Sequence, residues 1–90
     1  MRRPVKSVAV SPRYVRSLKK LSPSIQQKVI ERERIFRADA FDPSLNTHKL
    51  KGPLKFLWSW SVNFNHRVLF EFTGSHSALF HDVGTHDVYE

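Results

Sequence analysis

The sequence predicts an α+β fold: an N-terminal strand, a two-helix hairpin, then a three-stranded antiparallel meander, with the helices packed on one face of a small antiparallel sheet. Three observations predict it. The pairs Ser11-Pro12 and Ser22-Pro23 each combine a helix N-cap with a proline at the first helical position. The apolar period changes from about 3.6 to 2 after Lys51-Gly52-Pro53. Turn-forming pairs, Asn65-His66 and Gly74-Ser75, then divide the alternating stretch into strands. Ninety residues make one domain, 1–90, large enough to fold alone with little stability to spare.

Each element has its own signal. Val5-Lys6-Ser7-Val8-Ala9-Val10 is a short β-branched run ended by Ser11-Pro12, and reads as a strand. The first helix follows, with Tyr14, Leu18 and Leu21 at i, i+4 and i+7 on its apolar face and Arg13, Arg16, Lys19 and Lys20 on the rest. The second opens at Ser22-Pro23, with Ile25, Val29 and Phe36 inward and Lys28, Arg32, Arg34 and Arg37 outward. Asp42-Pro43 ends the helical stretch at the latest, because the residue before proline is driven out of the α region. Trp58, Trp60, Val62 and Phe64 then alternate with Ser59, Ser61 and Asn63, a strand with one apolar and one polar face. Val68, Phe70 and Phe72 alternate with Arg67, Leu69 and Glu71 in the next strand. Matching the apolar faces predicts the pairs Trp60 with Phe70 and Val62 with Val68, and sets Arg67 opposite Asn63. Ser77 to Val83 forms the last strand, stopped by Gly84.

Composition removes several function classes. There is no cysteine, which excludes a disulfide framework, a cysteine-ligated zinc site, an iron–sulfur cluster and a cysteine nucleophile. No apolar run approaches the roughly 20 residues of a membrane span, and Met1-Arg2-Arg3-Pro4 leads into no signal-peptide core, so the expected location is cytoplasmic. The net charge is +7, and residues 1–55 hold fourteen of the fifteen bases but four of the eight acids. Such a surface favours a polyanionic partner, either nucleic acid or an acidic protein segment. All five histidines, His48, His66, His76, His81 and His86, lie in the region from residue 48 onward. They show no helical i, i+4 pair and no clustered carboxylates, so no metal site is expected; nor is a small-molecule cofactor, since no glycine-rich phosphate loop is present.

The helices cover one face of the sheet, so the face with Ser59, Ser61, Asn63 and Arg67 is expected to meet water or a ligand. Arg67 is the one base after Lys55, and its guanidinium offers a planar, permanently charged fork suited to a phosphate. The alternative is an ion pair with Glu71 further along the same face. His86, in Gly84-Thr85-His86-Asp87-Val88-Tyr89-Glu90, is a candidate acid or base, and Tyr89 a candidate for stacking or proton positioning. The stretch His48-Lys49-Leu50-Lys51-Gly52 adds a second histidine and two lysines able to stabilise a dianionic transition state; as a plain solvated connector it would do neither.

Taken together, Phe41-Asp42-Pro43-Ser44-Leu45, the His48–Gly52 stretch, Trp58-Ser59-Trp60-Ser61-Val62-Asn63, Arg67-Val68-Leu69-Phe70 and the ending from Asp82 to Tyr89 resemble the RelE/ParE superfamily of type II toxins along nearly the whole chain. The resemblance implies a RelE-like fold and a metal-independent, ribosome-dependent mRNA endonuclease that inhibits translation, in which a 2′-hydroxyl attacks the adjacent phosphate. It implies that Arg67 contacts the scissile phosphate, that His86, Tyr89 and His48 take part in catalysis, and that Lys49, Lys51, Ser61 and Asn63 contact RNA. The general base stays open between His48 and His86. Arg13 and Lys20, on the basic helices, would face ribosomal RNA, and a cognate antitoxin protein would be the second partner. The superfamily also contains ParE-like inhibitors of DNA gyrase, and a non-toxic antitoxin-binding member is the third reading.

Overall fold

A computed structural model describes residues 2–85 and Val88. Strand β1 (Ser7–Val10) leads into helix α1 (Pro12–Lys20), and helix α2 (Pro23–Ala38) follows. A 3-10 turn at Pro43–Leu45 precedes strand β2 (His48–Lys49), and another at Gly52–Leu54 precedes β3 (Trp58–Ser61), β4 (Arg67–Gly74) and β5 (Ser77–Gly84). The five strands form one open sheet in the order β1-β5-β4-β3-β2.

Both helices start where the Ser-Pro pairs place them. The Ser11 hydroxyl accepts from the Tyr14 N–H at 3.0 Å, satisfying a donor at the start of α1, and donates to the His81 carbonyl at 2.8 Å. The same residue therefore caps α1 and sews it to β5. Ser22 repeats the cap for α2, accepting from Ile25 N at 3.3 Å. At the far end of α2, Asp39 accepts from the N–H groups of Arg3 and Phe41 at 2.9 and 3.0 Å, tying the N-terminal segment to the helix end. Those two bonds hold its carboxyl below the ordinary carboxylate range.

The core lies between the helices and one sheet face. Phe36, fully buried, stacks on Trp60 at 5.7 Å between centroids and meets Phe70 and Phe80 edge-on at 4.9 and 5.4 Å. Tyr14 brings α1 to the same cluster through Phe80, and burial pushes its hydroxyl pKa up. Phe41, Trp58 and Phe72 form a second aromatic group, closed by the Arg3 guanidinium 3.7 Å above the Phe72 ring. Strand β5 keeps its apolar residues on the helix side through a register shift: Phe70 opposes Phe80 and Val68 opposes Val83, so His81 and Asp82 both fall between inward residues.

The fold class and element order stand, with four corrections. The sheet is mixed, because β1 runs parallel to β5, Ser7 beside Ser77 through Val10 beside Phe80. The stretch beginning at His48, outside the expected strand order, contributes the edge strand β2, whose two residues pair with Ser59 and Trp58. The β3–β4 register is displaced by two: Trp58 opposes Phe70, Trp60 opposes Val68 and Ser61 opposes Arg67, in place of Trp60 with Phe70, Val62 with Val68 and Asn63 with Arg67. The cause is a longer turn over residues 62–66. Asn63 Oδ1 accepts from the N–H groups of Asn65 and His66 at 2.9 and 2.7 Å, while Val62 N and Asn63 N donate to the His66 carbonyl. The displacement is even, so every residue still in a strand keeps its face. Phe64 is the exception: it leaves the strand and lies 93% exposed at the hairpin tip.

Candidate nucleic-acid interface

Arg67 opens β4 directly opposite Ser61, which closes β3, so both stand at the hairpin's turn end on one sheet face. Beside them the C-terminal half of the chain meets α2. Ser61, Asn63, Phe64 and Arg67 form one wall of a groove of about 670 Å³, and Lys28, Arg32, Ser44 and Asn46 form the other. Lys28 and Arg32 are i, i+4 neighbours, so they project from α2 one turn apart. The 3-10 turn brings its backbone against the same helix, where the Arg32 guanidinium donates to the Ser44 carbonyl. Asp42 shapes that turn: the Ser44 hydroxyl and N–H donate to its Oδ1 at 2.6 and 2.9 Å and hold its carboxyl below the usual range.

Among the described residues, the groove lining holds three cations and no carboxylate. Like charges gathered this way repel one another, a strain that a bound polyanion relieves. An arginine guanidinium is a planar fork of donors whose geometry suits a phosphate, and Ser and Asn side chains offer neutral hydrogen-bonding groups.

His48, on β2, lies opposite Ser59 and therefore on the same sheet face as Ser61 and Arg67. Strand spacings of about 4.8 Å and a rise of about 3.4 Å per residue put the His48 and Arg67 Cα atoms about 12 Å apart, close enough for both side chains to reach one phosphodiester unit. The His48 ring is oriented. Its Nδ1 lies 2.9 Å from the Asn46 carbonyl, which accepts only, so Nδ1–H donates there, and in the neutral ring Nε2, 3.5 Å from the Ser59 hydroxyl, is the accepting nitrogen. A histidine held in that tautomer can accept a proton at Nε2.

The rest of this face departs from expectation. Ser59 is 1% exposed and Asp82 5%, so the face does not meet water along its whole length. Leu54, Leu57, Leu69 and Val88 line a smaller cavity of about 320 Å³ there with Ser11, Arg13 and Asp82. Glu71 pairs with His81, Nε2 to Oε1 at 2.8 Å.

No protein-family model matches the sequence, and no curated protein matches it either. Solved structures do. The RelBE2 toxin–antitoxin complex from Mycobacterium tuberculosis is similar at a TM-score of 0.77 and 19% identity, over 91% of this chain and 92% of that one. A YoeB/ParE toxin from Agrobacterium tumefaciens aligns at 0.75 and 14% identity, over 89% and 98%. The archaeal RelE–RelB complex from Pyrococcus horikoshii aligns at 0.70 and 15%, over 88% and 92%. The chain has the RelE/ParE-superfamily toxin fold.

On this RelE/ParE fold the residues singled out from sequence fall into three groups. Arg67, Ser61 and Asn63 line the groove, although the Asn63 oxygen is occupied by the turn, including the His66 ring at 3.1 Å. His48, Lys49 and Lys51 follow along the β2 edge, all exposed. Lys20 is exposed at the end of α1, and Arg13 is held to β5, its Nε 3.0 Å from the buried Asp82 carboxylate. His86 and Tyr89 lie outside the described residues. Lys28, Arg32 and Phe64 were missed as groove residues. The helical pattern assigned the two cations to the outer surface, and the signal that places them was the Asp42-Pro43-Ser44 turn folding back on α2.

Proposed function

We propose that this chain is the toxin of a type II toxin–antitoxin module and that it cleaves messenger RNA in the ribosomal decoding site. The observation that carries the proposal is the Lys28–Arg32–Arg67 groove at the end of a sheet face that also presents His48, on a RelE/ParE toxin fold. In the proposed reaction the RNA 2′-hydroxyl attacks the neighbouring phosphorus. The O2′–P bond forms, the P–O5′ bond breaks, and the products are a 2′,3′-cyclic phosphate and a 5′-hydroxyl end. The substrate supplies its own nucleophile, so the protein has to move two protons and stabilise charge.

His48 Nε2 is suited to take the 2′-hydroxyl proton, with Nδ1 anchored on Asn46. His86 is the partner proposed to protonate the departing O5′, and Tyr89 the residue proposed to assist it by stacking or proton positioning. Arg67 holds the non-bridging oxygens as the phosphorane develops, and Lys49 and Lys51 add positive charge from the β2 edge. Lys28 and Arg32 grip phosphates flanking the scissile one, with Ser61 and Asn63 between them. Lys20 and the partly engaged Arg13 belong to the basic surface proposed to meet ribosomal RNA. The protein partner is a cognate antitoxin, a reading supported by the complexes in which similar folds were solved, among them YoeB–YefM from Staphylococcus aureus and RelE–RelB from Pyrococcus horikoshii.

The test maps messenger 5′ ends after adding the purified chain to programmed ribosomes, with a ribosome-free reaction alongside. New ends at a fixed place in the decoding-site codon are expected, with Arg67→Ala slowing their appearance about 100-fold or more at unchanged fold. No new ends from folded protein would overturn the nuclease reading, and a supercoiling assay would then ask whether the chain inhibits DNA gyrase.

A further inference from the structure

Phe64 stands apart from every other large apolar side chain in the described residues. At 93% exposed, its whole ring is in water, whereas Val10, Ile30 and Phe56 keep about half of their surface covered. The ring is nevertheless not on a loose loop. The turn that carries it is closed by four hydrogen bonds: Val62 N and Asn63 N to the His66 carbonyl, and Asn65 N and His66 N to Asn63 Oδ1. A fifth, from the His66 ring to the same oxygen, fixes the His66 side chain at the end of the turn. The ring is thus presented on a stiff support, which lowers the entropy lost when something packs on it.

Its surroundings specify the occupant. Phe64 lines the same groove as Lys28, Arg32 and Arg67. A purely apolar partner would have to strip water from three cations to reach it, which is costly. A ligand with negative charges spaced along a chain and flat rings between them suits both features at once. Single-stranded nucleic acid has that chemistry, because every base offers a π-face beside its phosphate.

We infer that Phe64 is a stacking platform for one base of a single-stranded RNA whose adjoining phosphates lie along Lys28, Arg32 and Arg67. The inference rests on the nuclease reading for the identity of the polyanion and adds the place where a base is held. It makes Phe64 a positioning residue for substrate, not a participant in bond breaking.

The test titrates the full chain with a short RNA bearing 2′-O-methyl riboses, which cannot be cleaved, and 2-aminopurine at each position in turn. The same variants are assayed for cleavage on programmed ribosomes. Stacking predicts a fluorescence change at one position, abolished in Phe64→Ala together with about tenfold of the affinity. Phe64→Trp restores both and Phe64→Leu restores neither, since a leucine keeps apolar area but has no π-face. The slope of affinity against salt stays the same in Phe64→Ala and falls in Arg32→Ala, which separates the base contact from the phosphate contacts. On ribosomes Phe64→Ala raises KM with kcat little changed.

A Phe64→Ala chain with wild-type affinity, fluorescence and KM overturns the platform and leaves the nuclease reading standing. A wild-type chain that neither binds the RNA nor cuts on ribosomes overturns both. If Phe64→Ala retains RNA binding and KM but loses an acidic, aromatic-containing peptide, the ring belongs to a protein partner and the inference falls.

Discussion

The two faces of the sheet are built on opposite physical terms. The face under the helices is filled by rings, Phe36, Trp60, Phe70 and Phe80, whose contacts are apolar and insensitive to charge. The other face carries His48, Ser59, Arg67 and Asp82, with Arg13 reaching Asp82 from α1. The difference teaches where stability and chemistry are kept. Ring packing supplies the free energy that lets the opposite face hold polar groups and a buried carboxylate that would not assemble alone.

That comparison is sharpened most by Phe36→Ala. Phe36 is fully buried and touches three other rings, so its loss should cost about 3–5 kcal/mol, a large share of the roughly 5–15 kcal/mol that holds a small domain together. Urea unfolding reads this directly, and a cost under about 1 kcal/mol would mean that the aromatic cluster is not the keystone. On the polar face the expected effects are smaller and unequal within one ion pair. Asp82→Ala removes an acceptor that is 5% exposed and also bonds the Val83 N–H at 2.9 Å, which predicts a loss of about 1–3 kcal/mol. Arg13→Ala, with a side chain 63% exposed, should cost less than about 1 kcal/mol because water replaces it. Equal losses would break the picture of a buried acceptor with a solvated partner.

The smallest effect is expected from acid. Asp39 and Asp42 both have folded-state pKa values below their ordinary value of 3.8, through hydrogen bonds to Arg3 and Phe41 and to Ser44. Their contribution is complete above the unfolded range and is lost as pH falls through the folded values. Melting temperature should therefore decline below about pH 4 more steeply in the wild type than in an Asp39→Ala, Asp42→Ala chain. Parallel curves would show that the two turns do not titrate with folding.

The helical half was legible because its signals are local. Ser11-Pro12 and Ser22-Pro23 announce both helix starts within two residues each, and Tyr14, Val29 and Phe36 fall inward as their spacing requires. The sheet was legible by face but not by register. A slip of two residues moves no side chain across the sheet, so hydrophobic alternation carries no information about it, and the decisive group was the Asn63 side-chain oxygen inside the turn. Phe64 continued the alternation in sequence, and only that turn shows that the strand has already ended. The parallel placement of β1 depends on contacts seventy residues apart, Ser7 with Ser77, which no local pattern encodes. The groove inherits the same divide: Arg67 was visible as an isolated cation, whereas Lys28 and Arg32 became groove residues through a fold-back between α2 and the 3-10 turn.

The order of strands in the sheet also governs when the molecule can exist during its own synthesis. β5, made after the other four strands of this sheet, sits between β1 and β4, and the cap of α1 bonds to its backbone. Until residues 77–84 have emerged, β1 has no neighbour and α1 has no floor. Closing so long a loop is entropically slow, so folding of the sheet is held back until β5 has been made. A ribosome making these residues therefore carries an open sheet until β5 has left it.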